Sequence, residues 1–223
     1  MQRSLAVLVA GSLFAGFPVY VTASQDGFTT PSWRGTPGSE FHGWEMFTVA
    51  DDNGVGNAPD QAGSAAGAFL VQHAADAFLT SSGNIYNPAG ISSFTVRDTS
   101  AEPLGLVVFQ ARSLGSELDY SSVRLSYDAE AGTQFLSTLR SENDRGIVLG
   151  ASVSSQWEWD LTGLGVSSYA ISFTAGGTSL SFDSATLDTR STNTVPEPST
   201  WALLTLAAVG VGVGVSVRRP RHV

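Results

Sequence analysis

The sequence contains no cysteine, and this absence excludes disulfide bonds and thiolate metal sites from the chain. It also contains no lysine, so arginine supplies every permanently basic side chain. Histidine is scarce, and between residues 24 and 194 only His42 and His73 occur. The Gly-x-Ser-x-Gly motif of many serine hydrolases is absent as well. The absence of cysteine and the scarcity of histidine give little support to a zinc site or a catalytic triad. Without disulfide bonds, the core must be held by packing and strand hydrogen bonds.

Positive charge is also in short supply. The chain has 20 carboxylates against 11 arginines, and its formal net charge is −9 at pH 7. Of these groups, 19 carboxylates and seven arginines lie between residues 24 and 194. An acidic surface repels phosphates, so no nucleic-acid partner is expected. Such a surface is compatible with cations or neutral polymers as partners.

The final 29 residues combine a short polar motif, an apolar run and a basic end. The motif is Val195-Pro196-Glu197-Pro198, and an uncharged run of 17 residues follows it at 201–217. A run of this length is at the short end of what spans a bilayer as a helix. Arg218 and Arg219 open the basic tail (218–223), and basic flanks favour the cytoplasmic side of a membrane.

This order of features resembles the PEP-CTERM sorting signal of exported bacterial proteins, and Pro196, Glu197 and Pro198 match its triplet. The resemblance implies that an exosortase-type membrane peptidase processes the chain near the triplet. Before that step, a single transmembrane helix at 201–217 would anchor the chain in the inner membrane. The resemblance also implies a Gram-negative source that makes exopolysaccharide, with release or attachment of the protein at the cell surface. Residues 195–223 are therefore assigned to a sorting signal.

The first 23 residues have the pattern of a secretory signal peptide. Arg3 gives a positive start, and an apolar stretch occupies 5–21. The residues up to Ala23 fit the small-residue cleavage rule, which places cleavage by signal peptidase before Ser24. A retained membrane anchor is the alternative, although glycine and proline interrupt the apolar stretch. With the C-terminal signal, this pattern predicts that residues 24–194 lie outside the cytoplasm.

Between the two signals, short alternating runs predict β-strands rather than long helices. Phe94 and Val96 share one face of such a run, with polar residues on the other face. The stretch 65–79 fits either a helix or two strand pieces, and its glycines favour strands. Polar turns separate the runs, so we predict an all-β sandwich or jelly roll over residues 24–187. A polar tether at 188–194 would connect this domain to the sorting signal.

Four tryptophans of the central segment bear on carbohydrate binding. Trp33 and Trp44 lie in a stretch rich in glycine and proline that resembles the opening motif of PEP-CTERM proteins with jelly-roll-like bodies. These two are the candidates for contact with a sugar ring. Trp157 and Trp159 are two residues apart, so a strand would point both rings the same way, about 6.6 Å apart. They continue an apolar face with Val153, which favours core packing over an exposed sugar platform.

Several carboxylates could act as ligands or acids. Asp51 and Asp52 open an oxygen-rich loop that could hold calcium, although an Asx turn is the simpler interpretation. Asp183 lies where the apolar phase of the last strand shifts, which predicts a β-bulge. The segment 181–188 resembles the closing strand of jelly-roll carbohydrate-binding modules, and this resemblance implies a structural or calcium-ligating role for Asp183, although a bond to a turn backbone is the simpler interpretation. Glu158 and Asp160 share a solvated face, which does not suit the acid of a glycosidase. No cofactor is assigned, with calcium as the alternative.

These observations favour a non-enzymatic protein of the cell envelope or of the exopolysaccharide matrix. The second hypothesis is a carbohydrate-binding module of jelly-roll type, stabilised by calcium. A hydrolase comes third and would need two carboxylates that face each other across a cleft. The exposure of the four tryptophan rings discriminates between the first two hypotheses.

Overall fold

The computed structural model describes residues 27–50, 56–147 and 151–192, and these residues form strands, turns and loops without a helix. They accordingly include no helix of sufficient length and apolarity to cross a membrane. Each strand belongs to one of two antiparallel sheets. The strands of this part of the chain are β1 (Ser39–Trp44), β2 (Phe69–Gln72), β3 (Phe78–Leu79), β4 (Ile85–Asn87), β5 (Ser93–Thr99), β6 (Leu104–Gly115), β7 (Leu118–Ala129), β8 (Gly132–Leu136), β9 (Ser141–Ile147), β10 (Ala151–Asp160), β11 (Ser168–Ala175) and β12 (Leu180–Ser191).

The larger sheet has seven strands, and β12 and β6 lie at its centre. Its order is β3-β4-β12-β6-β10-β9, and β1 also pairs with β12. Strands β1 and β4 share one edge of β12, because Trp44 lies opposite Ala185 whereas Ile85 lies opposite Phe182. The other edge of β12 pairs with β6. Most of β12 is therefore hydrogen-bonded on both edges.

The smaller sheet, in the order β2-β5-β11-β7-β8, packs face to face on the larger one. Aromatic rings from the two sheets meet in the core. Phe94 of β5 lies 4.7 Å from Phe182 of β12, and Phe173 of β11 lies 5.2 Å from Phe109 of β6, measured between ring centroids. The described part of the domain is therefore an all-β sandwich of two antiparallel sheets, which confirms the all-β, two-sheet part of the predicted fold class.

Local features of the sandwich also agree with the sequence pattern. Phe94 and Val96 are buried on the inner face of β5, whereas the intervening side of the strand is less buried. The ambiguous stretch 65–79 forms strands β2 and β3 and not a helix. In β12, the pairing with β6 shifts register between Phe182 and Ser184, so Asp183 occupies the predicted β-bulge.

The last strand extends further than the sequence indicated. The polar tether predicted at 188–194 is wrong at its start, because β12 continues to Ser191. Asp188 is fully buried in this strand, with β1 on one side and β6 on the other. The guanidinium of Arg34 pairs with its carboxylate, which compensates for the burial of a charge.

Candidate functional site

The residues of the two predicted sorting signals lie outside the described part of the chain, as do the predicted helix at 201–217 and the candidate calcium ligands Asp51 and Asp52. The signal residues concerned are Ala23, Ser24, Val195, Pro196, Glu197, Pro198, Arg218 and Arg219. The other candidate residues belong to the sandwich, and the structure places each of them.

Trp44 is a core residue and not a surface platform. Its side chain is fully buried on the inner face of the larger sheet, opposite Ala185. Its Nε1–H donates a 2.9 Å hydrogen bond to the backbone carbonyl of Asn57. The prediction that Trp44 contacts a sugar ring is therefore wrong, because its indole is enclosed by the core and its polar atom already has a partner.

Trp157 and Trp159 also lie in the core, which confirms the prediction made from their shared apolar face. Trp157 stacks against Phe109 with 5.9 Å between ring centroids. The Nε1–H of Trp159 donates a 3.2 Å hydrogen bond to the carbonyl of Leu136. Among the tryptophans that the structure describes, Trp33 alone is partly exposed. It is thus the one predicted sugar-contact residue that a ligand could reach.

Asp183 binds neighbouring side chains with both carboxylate oxygens. Its Oδ1 accepts a 2.8 Å hydrogen bond from Nδ2 of Asn84, and its Oδ2 lies 3.5 Å from Nε of Arg112. The bulged aspartate therefore ties β12 to the residue before β4 and to β6. Calcium binding at Asp183 stays a prediction.

Glu158 and Asp160 are exposed on the outer face of β10, as the sequence indicated. Two hydrogen bonds from Thr162 lower the pKa of the Asp160 carboxyl below its ordinary value. The bond from the Thr162 hydroxyl contributes more than the bond from its backbone N–H. The acid of a glycosidase needs a shift in the opposite direction. This face therefore gives no support to glycoside hydrolysis.

Arg34 anchors the loop before β1 to the larger sheet. Its Nε and Nη2 donate hydrogen bonds of 2.5 and 2.7 Å to the two carboxylate oxygens of Asp188. Its guanidinium carbon also lies 3.9 Å from the ring centroid of Phe41. Burial raises the pKa of the Asp188 carboxyl, and the hydrogen bonds from Arg34 oppose that rise. Trp33 is therefore held next to a firmly positioned arginine.

The sandwich contains a buried polar cluster that the sequence did not predict, here named the His42 cluster (Glu40, His42 and Asp98). Glu40 and His42 are two residues apart on β1 of the larger sheet and therefore share one face of that strand. Asp98 lies on β5 of the smaller sheet. His42 is 0% exposed and Asp98 is 3% exposed, while the Glu40 side chain is 40% exposed. One nitrogen or oxygen atom from each residue lies within 4.8 Å of the other two. The cluster therefore spans the gap between the sheets.

Hydrogen bonds around the cluster fix the orientation of the imidazole. Nδ1 of His42 lies 3.1 Å from the carbonyl oxygen of Ala65, and Nδ1 must carry the hydrogen because a carbonyl only accepts. Nε2 lies 3.7 Å from Oδ1 of Asp98 and 4.0 Å from Oε2 of Glu40. These distances exceed those of hydrogen bonds. Within the described residues, neither Nε2 nor Oδ1 of Asp98 has a hydrogen-bond partner.

Tyr169 of β11 binds the second oxygen of Asp98. Its hydroxyl donates a 3.1 Å hydrogen bond to Oδ2. Burial raises the pKa of the Tyr169 hydroxyl well above its usual value, and the charge of Asp98 adds to the rise. The hydroxyl therefore keeps its proton, and Oδ1 of Asp98 is left facing His42.

The sequence did contain a signal for this cluster. Asp98 follows Phe94 and Val96 with the two-residue spacing of one strand face, and His42 has the same relation to Trp44. Each is thus a polar residue at a position that the apolar pattern assigns to the core. What could not be seen was that β1 and β5 bring the two side chains together.

Comparison with known proteins bears mainly on the C-terminal signal. No curated protein matches the chain. Among solved structures, the crystal structure of the Bacteriophage CBA120 tailspike protein 4 enzymatically active domain is similar at 8% sequence identity and a TM-score of 0.27, covering 67% of this chain and 18% of that chain. The chain thus spans less than a fifth of that protein, and the likeness carries no functional argument.

The PEP-CTERM protein-sorting motif matches residues 194–219. The matched segment contains the Pro196-Glu197-Pro198 triplet, the apolar run and the first two arginines of the tail. A match of this kind supports an exported protein that an exosortase, a membrane peptidase, processes. The chain therefore carries a PEP-CTERM sorting motif.

Proposed function

We propose that this chain is an exported, surface-sorted, non-enzymatic protein of the cell envelope or of the exopolysaccharide matrix. The match of the sorting motif to residues 194–219 carries the proposal. Signal peptidase removes 1–23, and the helix at 201–217 then holds the chain in the inner membrane with the sandwich outside the cytoplasm. An exosortase-type peptidase cuts near 196–198, and the sandwich passes to the surface or the matrix.

The described part of the sandwich supports a structural role. Trp44, Trp157 and Trp159 bury their rings in the core, so they contribute to stability and do not form a sugar platform. The exposed carboxylates of Glu158 and Asp160 are two residues apart on one strand, so they do not face each other across a cleft. An acidic surface suits a protein that meets cations and neutral polymers outside the cell.

Fractionation of producing cells with and without the peptidase tests the proposal. With the peptidase present, an antibody against the sandwich should detect it at the cell surface or in the matrix, without the segment after the triplet. Without the peptidase, the chain should accumulate in the inner membrane and keep that segment. Detection of the chain in the cytoplasm of both strains would contradict the proposal.

A carbohydrate-binding module of jelly-roll type is the second candidate, and the surroundings of Trp33 favour it. A groove of about 400 Å³ includes Arg34, Glu40 and Phe41, and the partly exposed Trp33 immediately precedes Arg34. Aromatic rings beside a few polar groups are the usual composition of a small-molecule site. Calcium at Asp183, or at Asp51 and Asp52, would stabilise such a module.

Glycan-array binding of the full chain in detergent, with and without calcium, distinguishes the two candidates. If the domain binds carbohydrate through Trp33, which precedes Arg34 of this groove, Trp33→Ala should abolish the signal. The matched control is Phe135→Ala, which removes an exposed ring from β8 on the other sheet. Under the structural proposal, wild type and both variants should all stay at background.

A further inference from the structure

The His42 cluster has the donor atoms and the spacing of a metal site, and we propose that it binds one divalent transition-metal ion, for which zinc fits best. Two donors bound at about 2.1 Å to one ion lie about 3.4–3.6 Å apart for angles between tetrahedral and trigonal. Nε2 of His42 lies 3.7 and 4.0 Å from the oxygens of Asp98 and Glu40. These separations are too long for hydrogen bonds and close to those of shared coordination.

The atoms without partners are the ones that a metal would take. The carbonyl of Ala65 accepts from Nδ1 of His42, which leaves the lone pair on Nε2 directed at the carboxylates. A backbone carbonyl on the other ring nitrogen is one of the usual second contacts of a metal-bound histidine. Tyr169 occupies Oδ2 of Asp98 and leaves Oδ1 for the ion. The second contacts of both buried ligands are therefore already in place.

Charge argues for a cation at the same point. Two carboxylates and a nitrogen lone pair converge on a site in which His42 and Asp98 are buried. Such an arrangement is costly unless a positive charge lies among the three groups. The half-exposed Glu40 side chain leaves a path from solvent by which an ion can enter. A water molecule can fill the remaining coordination position on that side.

The donor set selects among metals. Calcium and magnesium prefer sites made wholly of oxygen atoms, and an imidazole nitrogen is a poor ligand for both. Zinc accepts histidine nitrogen together with carboxylate oxygen at low coordination number. The site differs from the calcium site predicted at Asp183, because Asp183 does not belong to the His42 cluster.

The bound ion would connect the two sheets. Glu40 and His42 belong to β1 of the larger sheet, and Asp98 belongs to β5 of the smaller one. A chain without cysteine cannot use a disulfide for this purpose. Because the three ligands come together only in the folded domain, zinc binding should stabilise the fold.

Zinc titration of the full chain, purified in detergent and stripped with EDTA, tests the site. Equilibrium dialysis with elemental analysis should find about one zinc ion per chain. At free zinc about 100-fold above the dissociation constant, the melting temperature should rise by about 5–10 °C. Calcium chloride at the same concentration should produce no such rise. Wild type that binds no zinc, or that melts at an unchanged temperature, would overturn the proposal.

Three variants locate the binding. His42→Gln and Glu40→Gln should each abolish zinc binding and the rise in melting temperature. His73→Gln is the matched control, because it removes an exposed histidine that contacts Thr95, and it should keep both. Glu40 is half-exposed, so its variant tests the site even where His42→Gln fails to fold. Wild-type zinc binding by both cluster variants would place the ion elsewhere and refute the site.

Discussion

Truncation of Trp159 to alanine tests how the sandwich is held together. The side chain is 3% exposed, and its Nε1–H is bonded to the carbonyl of Leu136 at the end of β8. Removing it empties a large core position between the sheets and leaves that carbonyl without its donor. Loss of a buried tryptophan or phenylalanine costs about 3–5 kcal/mol of unfolding free energy. For a domain of this size, that corresponds to a fall of about 6–20 °C in melting temperature.

Circular dichroism of the full chain in detergent measures this change. The matched control is Glu158→Ala, which alters the neighbouring exposed position on the outer face of the same strand. It should move the free energy of unfolding by no more than about 0.5 kcal/mol. Trp159→Phe keeps an apolar ring and should give a smaller fall than Trp159→Ala. If Trp159→Ala melts at the same temperature as Glu158→Ala, the ring is not part of the core and the argument fails.

Urea unfolding tests two further predictions. Arg34→Met should lower the free energy of unfolding by about 3–5 kcal/mol because it leaves the buried Asp188 carboxylate unpaired, and unchanged stability would refute that pairing. Adding Asp188→Asn should restore most of the loss. Hydrogen bonds from Arg145 and Arg140 lower the pKa of Glu142 from 4.5 to about 2. The contribution of the Glu142 carboxylate to the free energy of unfolding is therefore complete above pH 4.5 and is lost as the pH falls through 2. The difference in urea midpoint between wild type and Glu142→Gln should shrink over that interval, and a difference independent of pH would contradict the ion pair.

The sequence predicts the sandwich well where apolar residues mark the inner faces. The alternation around Phe94 and Val96 gave the correct face of β5, and the same reasoning placed Trp157 and Trp159 in the core. The phase shift at Asp183 gave the correct position of the β-bulge. In these segments a single strand carries enough information, because burial follows directly from the two-residue period.

Prediction fails where the partner of a polar or irregular segment lies far away in the chain. Asp188 resembles the start of a tether until its ion pair with Arg34, 154 residues away, is known. Trp44 lies in a segment rich in glycine and proline, and only the pairing of β1 with β12 turns its ring inward. His42 and Asp98 carry no local metal-binding spacing, because the packing of two sheets brings them together.

Export and processing at the PEP triplet are the central claim, and the C-terminal mass of the mature protein tests it most directly. Mass spectrometry and cell fractionation should compare wild type with the double variant Pro196→Ala, Glu197→Ala, and with Ser199→Ala as a control for the same segment. Wild type and control should end near the triplet and leave the inner membrane. The double variant should remain in the inner membrane and keep the residues through Val223. An identical C-terminal mass and location for wild type and the double variant would contradict the account.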